Sequence, residues 1–215
     1  MYVPPAFDVA SRTEILSVLR GTPFGHLVTS TAGDEPHITS TPLPFVIDDE
    51  LSNLRVHFAR ANQHWRSIDG APALMIVPGV DAYVSPRWYP SKQENGKVVP
   101  TWNYEVVHLH GTITIHDDSS WKLNLVSDLT NHNERQVRDP ESSTPWEVAD
   151  APSDFIDGQL KAIVGVQLEI TKVEAKRKLS QNRQPDDRSG AQAGLGRSDR
   201  PSDLEASAAM KSTGD

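Results

Sequence analysis

His37-Ile38-Thr39-Ser40-Thr41-Pro42-Leu43-Pro44-Phe45-Val46-Ile47 is an extended segment that cannot lie in the middle of a sheet. Proline has no N–H to give a ladder, so a strand carrying Pro42 and Pro44 belongs at an edge or holds a bulge. Its neighbours also read as strands. Residues 24–31 set His26, Val28 and Ser30 on one face, and residues 54–59 alternate Leu54, Val56 and Phe58 with Arg55, His57 and Ala59. The run Thr31-Ala32-Gly33-Asp34-Glu35-Pro36 has turn composition, and residues 48–53 form the next turn. Further along, apolar strands are expected over 72–77 and 81–85. A long strand over 101–116 has Gly111 as a bend, and a last strand over 162–173 has Val164, Val166, Leu168 and Ile170 at period two.

Helices flank these strands. Ser11 and Glu14 form an S-x-x-E capping box ahead of Ile15, Leu16, Val18 and Leu19, and Gly21 and Pro23 end that helix. A short helix is expected over 62–68. A longer one over 118–137 repeats Trp121, Leu125 and Leu129 on one side. Residues 86–100 read as irregular. Closely spaced antiparallel strands with helices outside predict a mostly β protein, a small barrel, over residues 1–184. From residue 185 to 215 Pro, Asp, Ser, Gly, Arg and Ala dominate. Such a segment predicts a disordered, low-complexity tail, dispensable for the fold.

The 215 residues contain no cysteine. That excludes disulfides, thiolate metal sites, iron–sulfur clusters and a cysteine nucleophile. The N-terminus has neither a basic region nor an apolar run, and no stretch approaches the length of a membrane span, so a cytoplasmic protein without a membrane partner is expected. A formal net charge of −8 counts against binding nucleic acid by phosphate neutralisation. The densest basic cluster is Lys172, Lys176, Arg177, Lys178, Arg183 and Arg188, which could support only weak, sequence-independent contact with DNA. There is no G-x-S-x-G, P-loop, G-x-G-x-x-G or basic recognition helix.

Three polar clusters could carry chemistry. Thr39-Ser40-Thr41-Pro42 offers hydroxyls and main-chain groups to something other than a neighbouring strand. Arg60-Ala61-Asn62-Gln63-His64, at a strand end where a short helix begins, suits a phosphate. Ordinary turn and cap chemistry explains either cluster equally well. Pro100-Thr101-Trp102-Asn103-Tyr104 places two aromatics where they could stack on a flat ring or anchor a core. His108 and His110 share a strand face, as metal ligands or as hydrogen-bonded, partly buried rings. No acidic residue at ligand spacing accompanies them, and no metal is expected.

Several longer motifs, in order, resemble one family. They are Met1-Tyr2-Val3-Pro4-Pro5-Ala6-Phe7, Phe24-Gly25-His26-Leu27-Val28, Pro42-Leu43-Pro44-Phe45 and His57-Phe58-Ala59-Arg60-Ala61-Asn62-Gln63-His64-Trp65. Tyr83-Val84-Ser85-Pro86-Arg87-Trp88-Tyr89, Val99-Pro100-Thr101-Trp102-Asn103-Tyr104 and Lys178-Leu179-Ser180-Gln181-Asn182-Arg183 complete the set. The chain resembles the PaiB-like proteins, a family of FMN-binding negative transcriptional regulators, over roughly residues 1–183. That family belongs to the FMN-binding split barrels, together with pyridoxamine-phosphate oxidase. The resemblance implies an antiparallel Greek-key split barrel that forms a homodimer with FMN at the interface.

The resemblance also implies roles for particular residues. Thr39, Ser40, Thr41 and Pro42 would run along the isoalloxazine and ribityl chain. Phe58, Ala59, Asn62, Gln63 and His64 would hold the phosphate, with Arg60 as its charge partner. Trp102, Asn103 and Tyr104 would approach from the partner chain. The oxidase relatives offer an Arg-Lys pair where this chain has Asn62-Gln63-His64, which implies weaker FMN binding. The implied function is flavin-dependent negative regulation of transcription, through DNA or another regulator. The alternative is a flavin-dependent oxidoreductase acting on a small molecule, for which no proton donor or hydride partner stands out and no catalytic residue is assigned.

Overall fold

The computed structural model describes residues 1–30, 37–137 and 144–212. The turn expected over Thr31–Pro36 lies outside them. Seven strands form among the described residues: β1 (Phe24–Ser30), β2 (Ile38–Pro44), β3 (Val46–Ile47), β4 (Asn53–Ala59), β5 (Pro72–Val84), β6 (Thr101–His116) and β7 (Ile163–Lys178). The two strands expected over 72–77 and 81–85 are one. The pairing of β5 with β1 covers only Ala73–Ile76, so the missing N–H of Pro78 interrupts no bond to β1. β7 runs to Lys178, beyond the expected end, because its charged residues continue the alternation while hiding it from a hydrophobicity reading.

Among the described residues six α-helices accompany the strands: α1 (Arg12–Gly21), α2 (Ser91–Asn95), α3 (Ser119–Glu134), α4 (Ser153–Lys161), α5 (Pro185–Leu195) and α6 (Pro201–Ser212). The Ser11 hydroxyl accepts the Glu14 N–H at 3.4 Å and starts α1, which buries Ile15, Leu16 and Leu19. Asp118 caps α3 by accepting the Trp121 N–H at 2.9 Å. The short helix expected over 62–68 is a 3-10 turn, His64–Ser67.

The chain divides into two compact units. The barrel unit comprises Pro23–Val77 and Leu109–Val173. It holds β1 to β4 and one end each of β5, β6 and β7, in the sheet order β2-β1-β5-β6-β7-β4-β3. β1 pairs antiparallel with β2 and β5, and β4 with β3 and β7. β2 stands at one end of that order yet lies against β4, so the sheet curls back on itself as a split barrel. Leu27, Phe45, Leu54, Phe58, Met75, Ile113, Leu125 and Leu168 are buried in this unit. The expectation of an edge position for the two prolines is met, since Pro42 and Pro44 lie on β2.

The helical unit comprises Met1–Thr22, Pro78–His108 and Glu174–Asp215. Here the expectation of a disordered tail is corrected: residues 185–195 and 201–212 are the helices α5 and α6. Ala191, Leu195, Ala206 and Met210 are buried in one cluster with Ala82, Val84, Tyr89 and Leu179. Small residues make this docking feasible. A Cβ at Gly194 would collide with the Trp88 ring, so glycine lets the α5 backbone rest on that indole. Asp187 fastens the start of α5 by accepting the Ser91 N–H at 3.1 Å and its hydroxyl at 2.7 Å. The tail looks low in apolar residues because its buried face is built of alanine and glycine with a few larger anchors. Leu195→Ala is therefore expected to cost about 2–5 kcal/mol of stability, the range for truncating a buried leucine. Urea denaturation followed by tryptophan fluorescence measures it, and an unchanged midpoint would mean α5 contributes nothing to the unit.

Candidate functional site

In the barrel unit, Thr39, Ser40, Thr41 and Pro42 lie on β2, paired across to Thr29, Val28, Leu27 and His26 of β1. Among the described residues β2 pairs with β1 alone, so its other main-chain edge is free to bond a ligand. Ser40 and Pro42 are exposed; Thr39 and Thr41 are partly covered. The 3-10 turn after β4 brings His64 beneath this strand. Its ring is buried, with Nδ1 2.7 Å from Thr41 Oγ1 and Nε2 2.8 Å from Thr29 Oγ1. Burial, and secondarily the nearby charge of His37, pushes the His64 pKa below 6.5. The ring is thus neutral at pH 7, one nitrogen donating and the other accepting. Phe58 packs edge-on against it at 5.5 Å between ring centres.

Asn62 completes the turn, its Oδ1 accepting the His64 N–H at 2.9 Å. Gln63 is exposed and donates to the Ala61 carbonyl at 3.1 Å; Ala59 is also exposed. Beside β1 and β2, an open depression of about 270 Å³ is lined by Val28, Ser30, Ile38, Leu74 and His110.

Arg60 takes a different post from the one expected. Nε donates to the Lys161 carbonyl at 2.8 Å and Nη2 to the Ile163 carbonyl at 3.0 Å. Both terminal nitrogens also meet the Asp117 carboxylate, Nη1 at 3.1 Å and Nη2 in a closer ion pair. Asp117 takes Lys122 Nζ at 2.8 Å as well. Hydrogen bonds from Arg60 and then Lys122 lower the Asp117 pKa to about 2. The guanidinium is therefore a tie between the end of β4, the end of β6 and the start of β7, and its main directions are filled from within the fold. Asp117 carried no sequence signal beyond standing next to the α3 cap.

In the helical unit, Trp102 and Tyr104 are on the outward face of β6. Trp102 is 48% exposed and meets Tyr83 edge-on at 6.1 Å. Lys176 and Lys178 sit over the Tyr104 ring at 5.2 and 5.9 Å. Lys178 Nζ also donates to Thr101 Oγ1 at 2.5 Å and to the Trp102 carbonyl. Asn103 points the other way. It is fully buried, accepting from Ser180 Oγ at 2.9 Å and directed at Met210 Sδ at 3.4 Å. Strand alternation forces this: three consecutive residues cannot all face one ligand. His108 and His110 share a face of β6, both partly buried, and both have partners.

A hydroxyl-lined, unpaired strand edge with a neutral polar support and an apolar depression beside it fits a flat, hydrogen-bonding ring system. A seven-stranded antiparallel sheet curled in this way is the split barrel of flavin-binding proteins. The fold is similar to the flavocytochrome Anf3 of Azotobacter vinelandii (TM-score 0.53, 14% identity, 79% of this chain and 68% of that one). It is also similar to an FAD and heme binding protein of Mycobacterium smegmatis (TM-score 0.52, 19% identity, 80% and 73%). Residues 1–172 match the family described as "Putative FMN-binding domain". The chain is 32% identical over 188 residues to "Protease synthase and sporulation protein PAI 2" of Bacillus subtilis, covering 87% of this chain and 85% of that protein. The chain belongs to this family of FMN-binding domains, and FMN is the cofactor that membership assigns to it.

The buried imidazoles make stability depend on pH. Burial lowers the pKa of His57, His64 and His116 below 6.5. Below that value the unfolded chain binds protons that these rings refuse in the folded state, so stability present above pH 6.5 is lost as pH falls. Denaturant midpoints are expected to drop between pH 7 and 5, with a shallower slope in His64→Gln. Equal slopes in the two proteins would mean that His64 is not held neutral.

Proposed function

We propose that this protein is an FMN-binding homodimer acting as a flavin-dependent negative regulator of transcription. The observation that supports FMN binding best is the polar stretch Thr39–Pro42 on an unpaired strand edge, with Thr41 fixed by neutral His64. Thr39, Ser40, Thr41 and Pro42 face the ring and ribityl chain. Asn62 and Gln63 meet the phosphate with neutral donors, flanked by Ala59. Phe58 and His64 hold the turn in place from below. Arg60 acts as a positioning residue, since Asp117 and two carbonyls already engage it. Trp102 and Tyr104 approach from the partner chain, and Asn103 sets their strand from inside. FMN supplies reversible electron transfer.

The regulatory role rests on the family resemblance, and the charges favour action through another regulator over a grip on DNA. The basic cluster near the C-terminus is spent within the fold. Arg177 pairs with Glu14 and Glu105, Lys178 bonds Thr101, Arg183 lies over Tyr89 and Arg188 donates to the Met210 carbonyl. Lys176 lies over Tyr2 and Tyr104, and Lys172 has a partner too. The same observation keeps open a second reading, an oxidoreductase acting on a small molecule. No helix among the described residues is long and apolar enough to cross a membrane, and we place the protein in the cytoplasm.

Calorimetry with FMN and riboflavin tests the site. FMN is expected to bind more tightly; equal affinities would remove the phosphate contact, and no binding of either would remove the whole reading. Arg60→Ala should weaken both ligands by one factor, whereas a loss confined to FMN would restore Arg60 as a phosphate ligand. A salt-titrated DNA-binding assay separates the two functions. Weak, sequence-independent binding is expected, falling by about 0.9 log units per phosphate contact for each tenfold rise in salt. Tight, selective binding would establish a direct regulator, and rapid reduction of the bound flavin by NADH or NADPH would favour the enzyme.

A further inference from the structure

In the barrel unit, α3, α4 and the 3-10 turn Val148–Asp150 enclose an open groove of about 460 Å³. The Trp146 N–H donates to Glu134 Oε2 at 3.3 Å, at the end of α3, and Val148 and Ala149 line the groove with Leu123 and Ser127, nearer its start. The chain thus runs back along α3 before α4 closes the other side. From Leu123 to Glu134 the helix rises about 16 Å, or three turns. Leu160 is buried in the lining, and Ile156 and Val148 are partly covered. Large apolar side chains on these segments stand in solvent: Leu123 is 38% exposed, Trp146 46% and Phe155 56%. Exposed apolar surface gathered in one place marks a contact site. The charges beside it have one sign. Glu147, Asp150, Asp154 and Asp157 are exposed, and residues 144–160 contain no Lys, Arg or His.

We propose that this groove docks an amphipathic helix of a partner protein, with leucine-like side chains inward and lysine or arginine along its edges. Both long walls are helices, whose N–H and C=O groups bond internally, so an extended strand finds no ladder to join. A helix instead offers an apolar stripe of matching length, its side chains at i, i+3, i+4 and i+7 set against Leu123, Val148 and Ile156. The carboxylates at the rim select a basic partner, and they repel nucleic acid and anionic membrane alike. The inference rests on the reading that this protein acts through another regulator, and it names the surface that does so. The DNA-binding assay tests that reading by itself, and no groove residue is assigned to FMN, so a failed docking site leaves both standing.

The test is fluorescence anisotropy on the full chain with a labelled leucine–lysine peptide of about 14 residues, or four turns, whose leucines form one helical stripe. A peptide of the same composition with the leucines scattered, and one with glutamate in place of lysine, are the controls. Saturable binding of one striped peptide per chain is expected, with both controls much weaker. Leu123→Ser should weaken it at least about tenfold, as for loss of one buried apolar anchor. Asp157→Lys should weaken it too, whereas Glu50→Lys, an exposed acid away from the groove, should leave it unchanged. Ala149→Trp, which occupies the groove without altering charge, should abolish binding, with circular dichroism checking that each variant is folded. Absence of saturation, equal binding of the scattered peptide, or undiminished affinity in Leu123→Ser and Ala149→Trp would overturn the proposal. So would a smaller assembly of Leu123→Ser in sedimentation, which would give the groove to a second copy of this chain.

Discussion

One neutral imidazole holds the candidate site together. His64 reaches Thr29 on β1 and Thr41 on β2 from a turn that follows β4, so a single ring joins three segments distant in sequence. β2 needs that support. It is an edge strand with two prolines, and its hydroxyls hold a fixed direction only if something beneath them does not move. A protonated ring would donate from both nitrogens, and each threonine would then have to accept. Burial keeps the ring neutral, so rigidity of the strand and protonation of the histidine are one constraint.

A second constraint acts through Asp117. Its carboxylate gathers Arg60 and Lys122, and Arg60 in turn reaches two carbonyls, one at the end of α4 and one at the start of β7. Lys122 is almost wholly covered, its side chain 3% exposed, and Asp117 is the acid it pairs with. The strand end that presents Asn62 and Gln63 is thereby fixed by charge from one side and by His64 from the other. The proposed site is left with neutral donors, so a ligand bound there would be held by fit and hydrogen bonds more than by fixed charge.

Much of this was legible in the sequence. The alternation in residues 54–59 and 101–116, the capping box at Ser11 and the prolines of β2 each follow from local backbone chemistry and place most strands correctly. Three features were not legible. Asn103 sat in a motif with Trp102 and Tyr104, and only the strand period separates it from them. Arg60 looked like a phosphate ligand because its partner Asp117 is remote in sequence. The helices α5 and α6 bury alanine and glycine faces, which no hydrophobic periodicity advertises. In each case the deciding contact is long-range, and a linear reading sees one half of it.

The way the two units are drawn from the chain carries a further consequence. The barrel unit is complete once residue 173 has been made, whereas the helical unit takes one piece from each of three separate stretches and needs α5 and α6 last. Domains fold as units as synthesis proceeds. The barrel can therefore mature while the helical unit still lacks the surface that covers Tyr89 and Leu179. Until those last helices arrive, the growing protein shows chaperones an apolar patch in a place where the finished one shows alanine and glycine packed on tryptophan. Errors in the final stretch would thus be felt as poor yield before they were felt as lost activity.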